Sequence, residues 1–186
     1  MPILTGKLVR LRPFEAEDVE RAYVWMNDPE VTEHLAARYP FSRKTEADYI
    51  ARATSETSYT NLVLAVETLA EGRHIGGIDL REARPENRRA ELGIAIGEKD
   101  CWSRGYGTDA IVTLLRFAFD EMNLHRVQLD VDVTNERAIA CYRKCGFVEE
   151  GRQRQAHYAG GRYLDVLIMG VLADDFRSLH GGIDTV

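Results

Sequence analysis

A glycine-containing turn in the middle of the chain, Arg104-Gly105-Tyr106-Gly107-Thr108, lies between a strand pattern and a helix pattern. The alternation in Arg89 to Gly97 predicts the strand. Apolar residues at i, i+3, i+4 and i+7 predict a helix over Thr108 to Met122, and a second alternation predicts a strand over Arg126 to Val133. This order describes a mixed α/β unit whose turn lies at the carboxyl end of a strand, which is where open α/β sheets bind ligands.

The remaining patterns extend this unit to one domain, because 186 residues suffice for one sizeable core and are few for two. We expect the domain to span residues 1–173 and to be followed by a C-terminal tail, 174–186, with a short helix. Further helices are predicted over Glu15 to Met26, from Asp28-Pro29, and from Ser42 to about Thr57. Further strands are predicted over Lys7 to Arg12, Asn61 to Glu67, His74 to Leu80, Val148 to His157 and Arg162 to Leu172.

Composition excludes several classes of protein. The formal net charge is -6 and the Lys and Arg residues are scattered, which argues against direct nucleic-acid binding. No apolar stretch approaches the ~20 residues of a membrane span, and the N-terminus has no secretory signal. Three cysteines without metal-type spacing indicate a reducing compartment. We therefore expect a cytoplasmic protein without a metal site or a membrane partner.

The glycine turn is a candidate anion site, because a helix N-terminus presents unpaired amides and glycine permits close backbone approach. It lacks the Gly-Lys-Ser/Thr ending of a nucleotide-binding P-loop and the third glycine of a dinucleotide fingerprint. Taken alone, it is equally consistent with a loop that uses glycine to turn tightly.

A second motif, from Asn135 to Phe147, predicts a compact helix with an Asn cap and a Gly stop. Together with the glycine turn, it resembles the GNAT superfamily of acetyl-CoA-dependent N-acetyltransferases over roughly Leu8 to Leu172. The residues that match the two motifs of the family are Gly105, Gly107, Asn135, Ala138, Tyr142, Lys144, Gly146 and Phe147.

One position departs from the family pattern: Trp102 stands where Arg or Gln is usual. This departure is similar to the branch of ribosomal-protein N-acetyltransferases (the RimJ/RimL type), and the Leu11-Arg12-Pro13 start also looks like that branch.

The resemblance implies a GNAT fold, a twisted and mostly antiparallel central sheet flanked by helices on both faces, with acetyl-CoA as co-substrate and no metal. It implies that Asn135 contacts the pantetheine arm and that Tyr142 protonates the departing thiolate, although as residue types they also suit a helix cap and a core aromatic. The backbone of the strand before the turn would pair with the pantetheine through Ile94, Ala95 and Ile96. The pyrophosphate would lie on the amides of Ser103, Arg104, Gly105, Tyr106, Gly107 and Thr108.

Glu91 is a candidate catalytic residue from the strand pattern itself. It shares a strand face with Gly93 and Ala95, and a carboxylate beside two small residues suits a groove in which a ligand lies against the sheet. It would deprotonate an ammonium acceptor or attract it. The alternative is a solvated carboxylate or a salt bridge to Arg88 or Arg89.

The acceptor is expected to be a primary amine, with a protein N-terminus as the main interpretation and a polyamine or aminoglycoside as the alternative. Trp25 and Tyr39 are candidate substrate contacts, although core packing explains aromatic residues equally well. A non-catalytic acyl-CoA sensor and a donor such as succinyl-CoA are the remaining alternatives. Cys141 and Cys145 are interpreted as packing residues, and the terminal hairpin is a candidate homodimer surface.

Overall fold

A computed structural model of the chain describes residues 4–36 and 40–181. Its helices are α1 (Val19–Met26), α2 (Pro29–Thr32), α3 (Arg43–Ser55), α4 (Tyr106–Asp120), α5 (Glu136–Lys144) and α6 (Ala173–His180). Its strands are β1 (Leu4–Thr5), β2 (Val9–Arg12), β3 (Asn61–Thr68), β4 (His74–Arg84), β5 (Arg89–Ile96), β6 (Arg126–Asp132), β7 (Val148–Ala159) and β8 (Arg162–Leu172).

The eight strands form one sheet in the order β1-β2-β3-β4-β5-β6-β8-β7. Every neighbouring pair is antiparallel except β5 and β6, which run parallel and are joined through α4. The predicted fold class, a mixed α/β fold with a mostly antiparallel sheet, is therefore confirmed.

Helices cover both faces of the sheet because both faces carry apolar side chains. On one face, α4 buries its apolar stripe completely, with Ile111, Leu114 and Leu115 at 0% exposure. On the other, which we call the acceptor face, α1 and α3 pack a smaller cluster against Val63 and Ala65 of β3. The predicted periodicity of the central helix is confirmed by this burial.

The N-terminal strands are attached to α4 by one carboxylate. Asp109, in the first turn of α4, accepts backbone hydrogen bonds from Lys7 at 3.0 Å, Leu8 at 2.7 Å and Val9 at 3.0 Å. A side chain 100 residues away thus satisfies three amides at the bend between β1 and β2.

Some element boundaries differ from the predictions. Helix α4 begins at Tyr106, two residues early, because Gly105 takes the cap position. Strand β4 continues past Leu80 to Arg84, because pairing with β5 sustains it where its residues turn polar. The first half of the expected C-terminal tail forms α6, whose Phe176 is buried against Phe119.

Candidate active site

The central feature of the site is an opening in the sheet between β5 and β6. These parallel strands pair at only three positions, from Arg89–Arg126 to Glu91–Gln128. Beyond this point β6 stays paired with β8 and β5 with β4, so residues 92–96 and 129–132 border a gap that we call the splay. Backbone groups along an open strand edge can pair with an extended ligand. The half-buried Ile94, Ala95 and Ile96 lie on this edge.

The turn at residues 103–108, here called the anion cradle, follows the splayed strand. Gly105 is the N-cap of α4 with φ +90° and makes no side-chain cap. Ser103 is also in the left-handed region, with φ +57°. Among the described residues, no side chain accepts from the first amides of α4 at the positive end of the helix dipole, which favours phosphate.

Trp102 connects the splay to the cradle. Its indole Nε1 donates a 2.7 Å hydrogen bond to the carbonyl of Ile96, so that carbonyl is already engaged at the end of the open edge. The guanidinium of Arg137, in the first turn of α5, stacks over the indole ring at 3.7 Å. Arg137 was not among the predicted site residues, although its place two residues after Asn135 was a usable signal.

Two further residues of the cradle carry polar groups beside the uncapped amides. The exposed Arg104 donates to the Asp100 carbonyl at 3.2 Å, and its guanidinium lies 5.7 Å from the Tyr106 ring centre. Thr108 Oγ1 lies 3.3 Å from the Cys141 thiol of α5. The cradle is therefore in contact with α5 as well as with β5.

Asn135 caps α5, as its residue type predicts. Its Oδ1 accepts from the amide of Ala138 at 3.2 Å, and Gly146, with φ +101°, follows the end of the helix. In the described part of the chain, the Nδ2 group of Asn135 has no hydrogen-bond acceptor. The cap and a ligand contact are therefore compatible, since they use different atoms of the same amide.

Tyr142 is buried on α5, with 8% exposure and an edge-to-face contact to Phe147 at 5.9 Å. Its hydroxyl makes no hydrogen bond to residues 4–36 or 40–181. Burial, with a smaller contribution from Cys141 and Cys145, raises the pKa of the phenol above its usual range. The hydroxyl therefore carries its proton throughout the neutral pH range, as a proton donor must.

The two cysteines of α5 have different environments. Cys145 is fully buried, and its thiol points towards the Thr108 carbonyl at 3.7 Å. The interaction between the two thiols lowers the pKa of Cys141, and the same interaction together with burial raises the pKa of Cys145. These contacts join α4 to α5, which agrees with a packing role.

Carboxylates converge on the acceptor face. Glu91 Oε1 accepts from Arg81 Nη2 at 2.9 Å and from Arg81 Nε at 3.1 Å, so its partner lies on the neighbouring strand β4. Asp79 lies on the same face, and a Cβ at Gly93 would come within 2.7 Å of its Oδ2. Burial first, and then the charge of Glu91, raise the pKa of both Asp79 and Asp130.

Asp79 also borders a cavity of about 300 Å³ between α3 and strands β3 and β4, with Tyr49, Glu56, Asn61 and Arg81 among its lining residues. The buried Oδ1 of Asp79 accepts no hydrogen bond within the described residues and lies 3.6 Å from Arg81 Nη1. The carboxylate is therefore incompletely satisfied at the boundary between the cavity and the cluster around Glu91.

The predicted substrate contacts have different outcomes. Trp25 is buried against Gly97, where a Cβ would come within 2.1 Å of the indole. Its Nε1 donates to Glu98 at 3.1 Å and its ring meets His74 edge-on at 4.8 Å. Packing accounts for all these contacts of Trp25. Tyr39 lies outside the described residues.

Two features are absent from residues 4–36 and 40–181. None of the helices there is long and apolar enough to cross a bilayer. Likewise, no group of three His, Cys, Asp or Glu side chains there is arranged to hold a metal ion.

The chain is similar to known acetyltransferases over most of its length. Residues 9–148 match the model of the family described as Acetyltransferase (GNAT) domain. The spermidine N(1)-acetyltransferase of Escherichia coli (strain K12) is 29% identical over 177 residues, 92% of this chain and 90% of that protein. A putative ribosomal N-acetyltransferase, YdaF of Bacillus subtilis, is 35% identical over 109 residues, 59% of each chain.

The fold also matches solved structures. The crystal structure of spermidine N-acetyltransferase from Vibrio cholerae in complex with CoA and spermine has a TM-score of 0.80 and 27% identity, covering 90% of this chain and 97% of that one.

The splay and the anion cradle agree with the coenzyme A thioester donor that the family resemblance implies. The chain belongs to the GNAT acetyltransferase family, since the family model covers residues 9–148. It is an N-acetyltransferase with an amine as acceptor and acetyl-CoA as donor.

Proposed function

We propose that the acceptor is a polyamine and that the reaction is direct transfer of the acetyl group to one of its primary amines. The observation that carries this proposal is the charge of the acceptor face. Asp79, Glu91 and Asp130 supply three carboxylates there, and Arg81 supplies one guanidinium. Burial, and to a smaller extent the charge of Glu91, raise the pKa of Asp79 and Asp130, and a ligand with several ammonium groups would stabilise their charged forms. The similarity to spermidine acetyltransferases supports the same acceptor class.

The incompletely satisfied Asp79 indicates where one ammonium group of the polyamine would bind. With its Oδ1 buried and unbonded in the described part of the chain, it would hold one ammonium at the mouth of the 300 Å³ cavity. Glu91, whose Oε1 is engaged by Arg81, would attract the reacting amine through its remaining oxygen rather than take its proton. Asp130 would border the path between the two sites.

On the donor side, the cradle amides would bind the pyrophosphate and the open edge at Ile94 and Ala95 would pair with the pantetheine. Acetyl-CoA supplies an activated thioester when it is bound. Asn135 Nδ2 would donate to the pantetheine arm, and Tyr142 would protonate the thiolate as the C–S bond breaks. Holding both substrates together would supply much of the acceleration.

A protein N-terminal amine is the second candidate acceptor. It is favoured by the Trp102 turn and the Leu11-Arg12-Pro13 start, which resemble the ribosomal-protein branch, and by the similarity to the putative ribosomal enzyme. A peptide N-terminus carries one ammonium, so it would leave most of the carboxylates on the acceptor face unneutralised.

An acceptor panel tests the proposal. Free-thiol release from acetyl-CoA is measured with spermidine, spermine, a diamine, an aminoglycoside and peptides with free N-termini, and succinyl-CoA is tried as a second donor. We expect kcat/KM for a polyamine to exceed that for any peptide by at least about tenfold, since one fewer ion pair costs about 1.4 kcal/mol or more. Faster turnover of peptides would establish the second candidate. Acetyl-CoA binding by calorimetry without thiol release from any amine would indicate a sensor.

Glu91→Gln, with Glu86→Gln as a control in the exposed turn between β4 and β5, tests the role of the carboxylate. We expect a raised KM for polyamines and a nearly unchanged pH profile. Unchanged turnover and an unchanged KM would remove Glu91 from the site.

A further inference from the structure

A buried carboxylate at the end of β6 is bound by two histidines. Asp132 is 5% exposed. Its Oδ1 lies 2.7 Å from Nδ1 of His157, and its Oδ2 lies 3.2 Å from Nδ1 of His34. The three side chains come from β6, β7 and the segment after α2, so only the folded chain brings them together.

The placement of His157 depends on an irregularity in the β7–β8 hairpin. Gln153 pairs with Val166 and His157 with Leu164, so β7 contains two more residues than β8 between these pairs. Asp165 stabilises this bulge by accepting from the Gln155 amide at 2.8 Å and from Arg152 Nε at 2.7 Å. Bulges re-aim side chains, and this one directs His157 towards the end of β6.

The hydrogen bonds determine which nitrogen of each imidazole carries the proton. An ionised carboxylate accepts hydrogen bonds and donates none. The Nδ1 atoms of His34 and His157 must therefore donate to Asp132. In a neutral ring the lone pair then resides on Nε2, on the far side of the ring from the carboxylate. A histidine held through Nδ1 by a buried aspartate is the arrangement in which Nε2 acts as a base.

The cluster lies on the acceptor face, at the open end of the splay. Glu91 pairs with Gln128, and side chains two residues apart on a strand share a face, so Gln128, Asp130 and Asp132 lie on the same side as Glu91. Asp132 borders the splay opposite the level of Ala95. His34 belongs to the segment between β2 and β3, which also supplies the helices of this face.

We propose that His34 and His157, positioned by Asp132, are the bases that remove the proton from the acceptor ammonium. This inference rests on the proposed function, because it requires an amine acceptor that arrives charged. Nε2 of one imidazole takes a proton from R–NH3⁺, and the freed amine lone pair forms the C–N bond to the thioester carbonyl. The C–S bond breaks, the thiolate takes a proton from Tyr142, and Tyr142 regains a proton from the nitrogen of the new amide. The imidazolium then releases the first proton to water.

Acidic side chains lie beside the two imidazoles. Asp132 contacts both rings and Asp130 lies one pleat away on β6. On the hairpin, Asp165 is paired with Arg152. Glu91 is a weaker candidate for the same task, since a carboxylate that accepts two hydrogen bonds from Arg81 is a poor proton acceptor.

The test compares the double variant His34→Gln/His157→Gln with His125→Gln, a control in which an exposed imidazole at the opposite end of β6 is replaced. We expect kcat/KM of the double variant for its best amine to fall about 100-fold at pH 7. Near pH 10 the deficit should shrink to a few-fold, because aliphatic amines with a pKa of about 10.4 then lose the proton to water unaided. A loss that is equal at both pH values, or no loss at pH 7, would overturn the proposal.

Three further variants keep the proposal testable if the double variant does not fold, as judged by acetyl-CoA affinity. The two single variants retain one imidazole each and should show smaller losses with the same recovery at high pH. Asp132→Asn should lower kcat/KM at pH 7 with recovery near pH 10, because both imidazoles lose the carboxylate that orients them, and an unchanged kcat/KM at pH 7 would reject the positioning role. Absence of thiol release from the unmodified enzyme with every amine would instead be a failure of the proposed function.

Discussion

Replacement of Tyr142 by Phe separates the chemistry of the site from its packing. The ring is buried against Phe147, so Phe preserves the apolar contacts. The hydroxyl has no hydrogen-bond partner in the described residues, so its removal forfeits none of the ~1 kcal/mol that a typical bond contributes. We therefore expect the free energy of unfolding and the affinity for acetyl-CoA to change by less than about 1 kcal/mol.

Turnover should behave differently. If Tyr142 protonates the thiolate, its loss removes a general acid that contributes about 10²- to 10⁴-fold to kcat, or about 2.7–5.5 kcal/mol of barrier. Thiol release gives kcat, chemical denaturation gives stability, and calorimetry gives affinity, with the exposed Tyr163→Phe as control. A kcat within about threefold of the parent enzyme would refute the assignment. A large loss of stability would show that the hydroxyl has a structural partner.

Three further predictions concern the framework and the donor site. Asp109→Asn should lower the free energy of unfolding by about 2 kcal/mol and Tm by about 4–8 °C, because one of three charge-assisted bonds is lost; an unchanged Tm would contradict this. Burial alone would raise the pKa of Asp18, but hydrogen bonds from its guanidinium and imidazole partners hold it below its usual range. Its contribution to stability is therefore fully present above about pH 4 and is lost as the pH falls further. Lowering the pH from 5 to 3 should thus reduce the free energy of unfolding of the parent protein more than that of Asp18→Asn, as measured by chemical denaturation at each pH. Iodoacetamide should label Cys141 before the buried Cys101 and Cys145. Acetyl-CoA at ten times its Kd should lower the labelling rate of Cys141 about tenfold. A labelling rate that acetyl-CoA does not change would show that the donor binds elsewhere.

Local patterns predicted the elements around the donor site well. The cap at Asn135, the stop at Gly146 and the apolar stripe of α4 each depend on residues that are close together in the sequence, so local patterns are enough to predict them. The strand before the turn was predicted for the same reason. Its splay from β6 could not be predicted from a short segment, because the point at which two strands part depends on the register of the whole sheet.

The acceptor side was less predictable because its contacts join distant parts of the chain. Asp132 and His34 are separated by 98 positions, and the approach of His157 depends on a bulge that alternation does not reveal. The alternative interpretation of Glu91 was a solvated carboxylate or a salt bridge to Arg88 or Arg89, whereas the register places Arg81 of β4 opposite it. The packing of Trp25 against Gly97 also joins distant parts of the chain, so the sequence alone did not reveal it.

The two sides of the splay carry opposite electrostatic character, and this affects the order of product release. On the donor side, the uncapped amides and Arg137 would attract phosphates, which coenzyme A keeps after the reaction. On the acceptor side, Asp79, Glu91 and Asp130 would attract ammonium groups, and acetylation would convert one of these into a neutral amide. Acetylation would therefore weaken the binding of the amine product but not that of coenzyme A, because the lost charge is one that the acidic face would recognise. We therefore expect the acetylated amine to leave before coenzyme A.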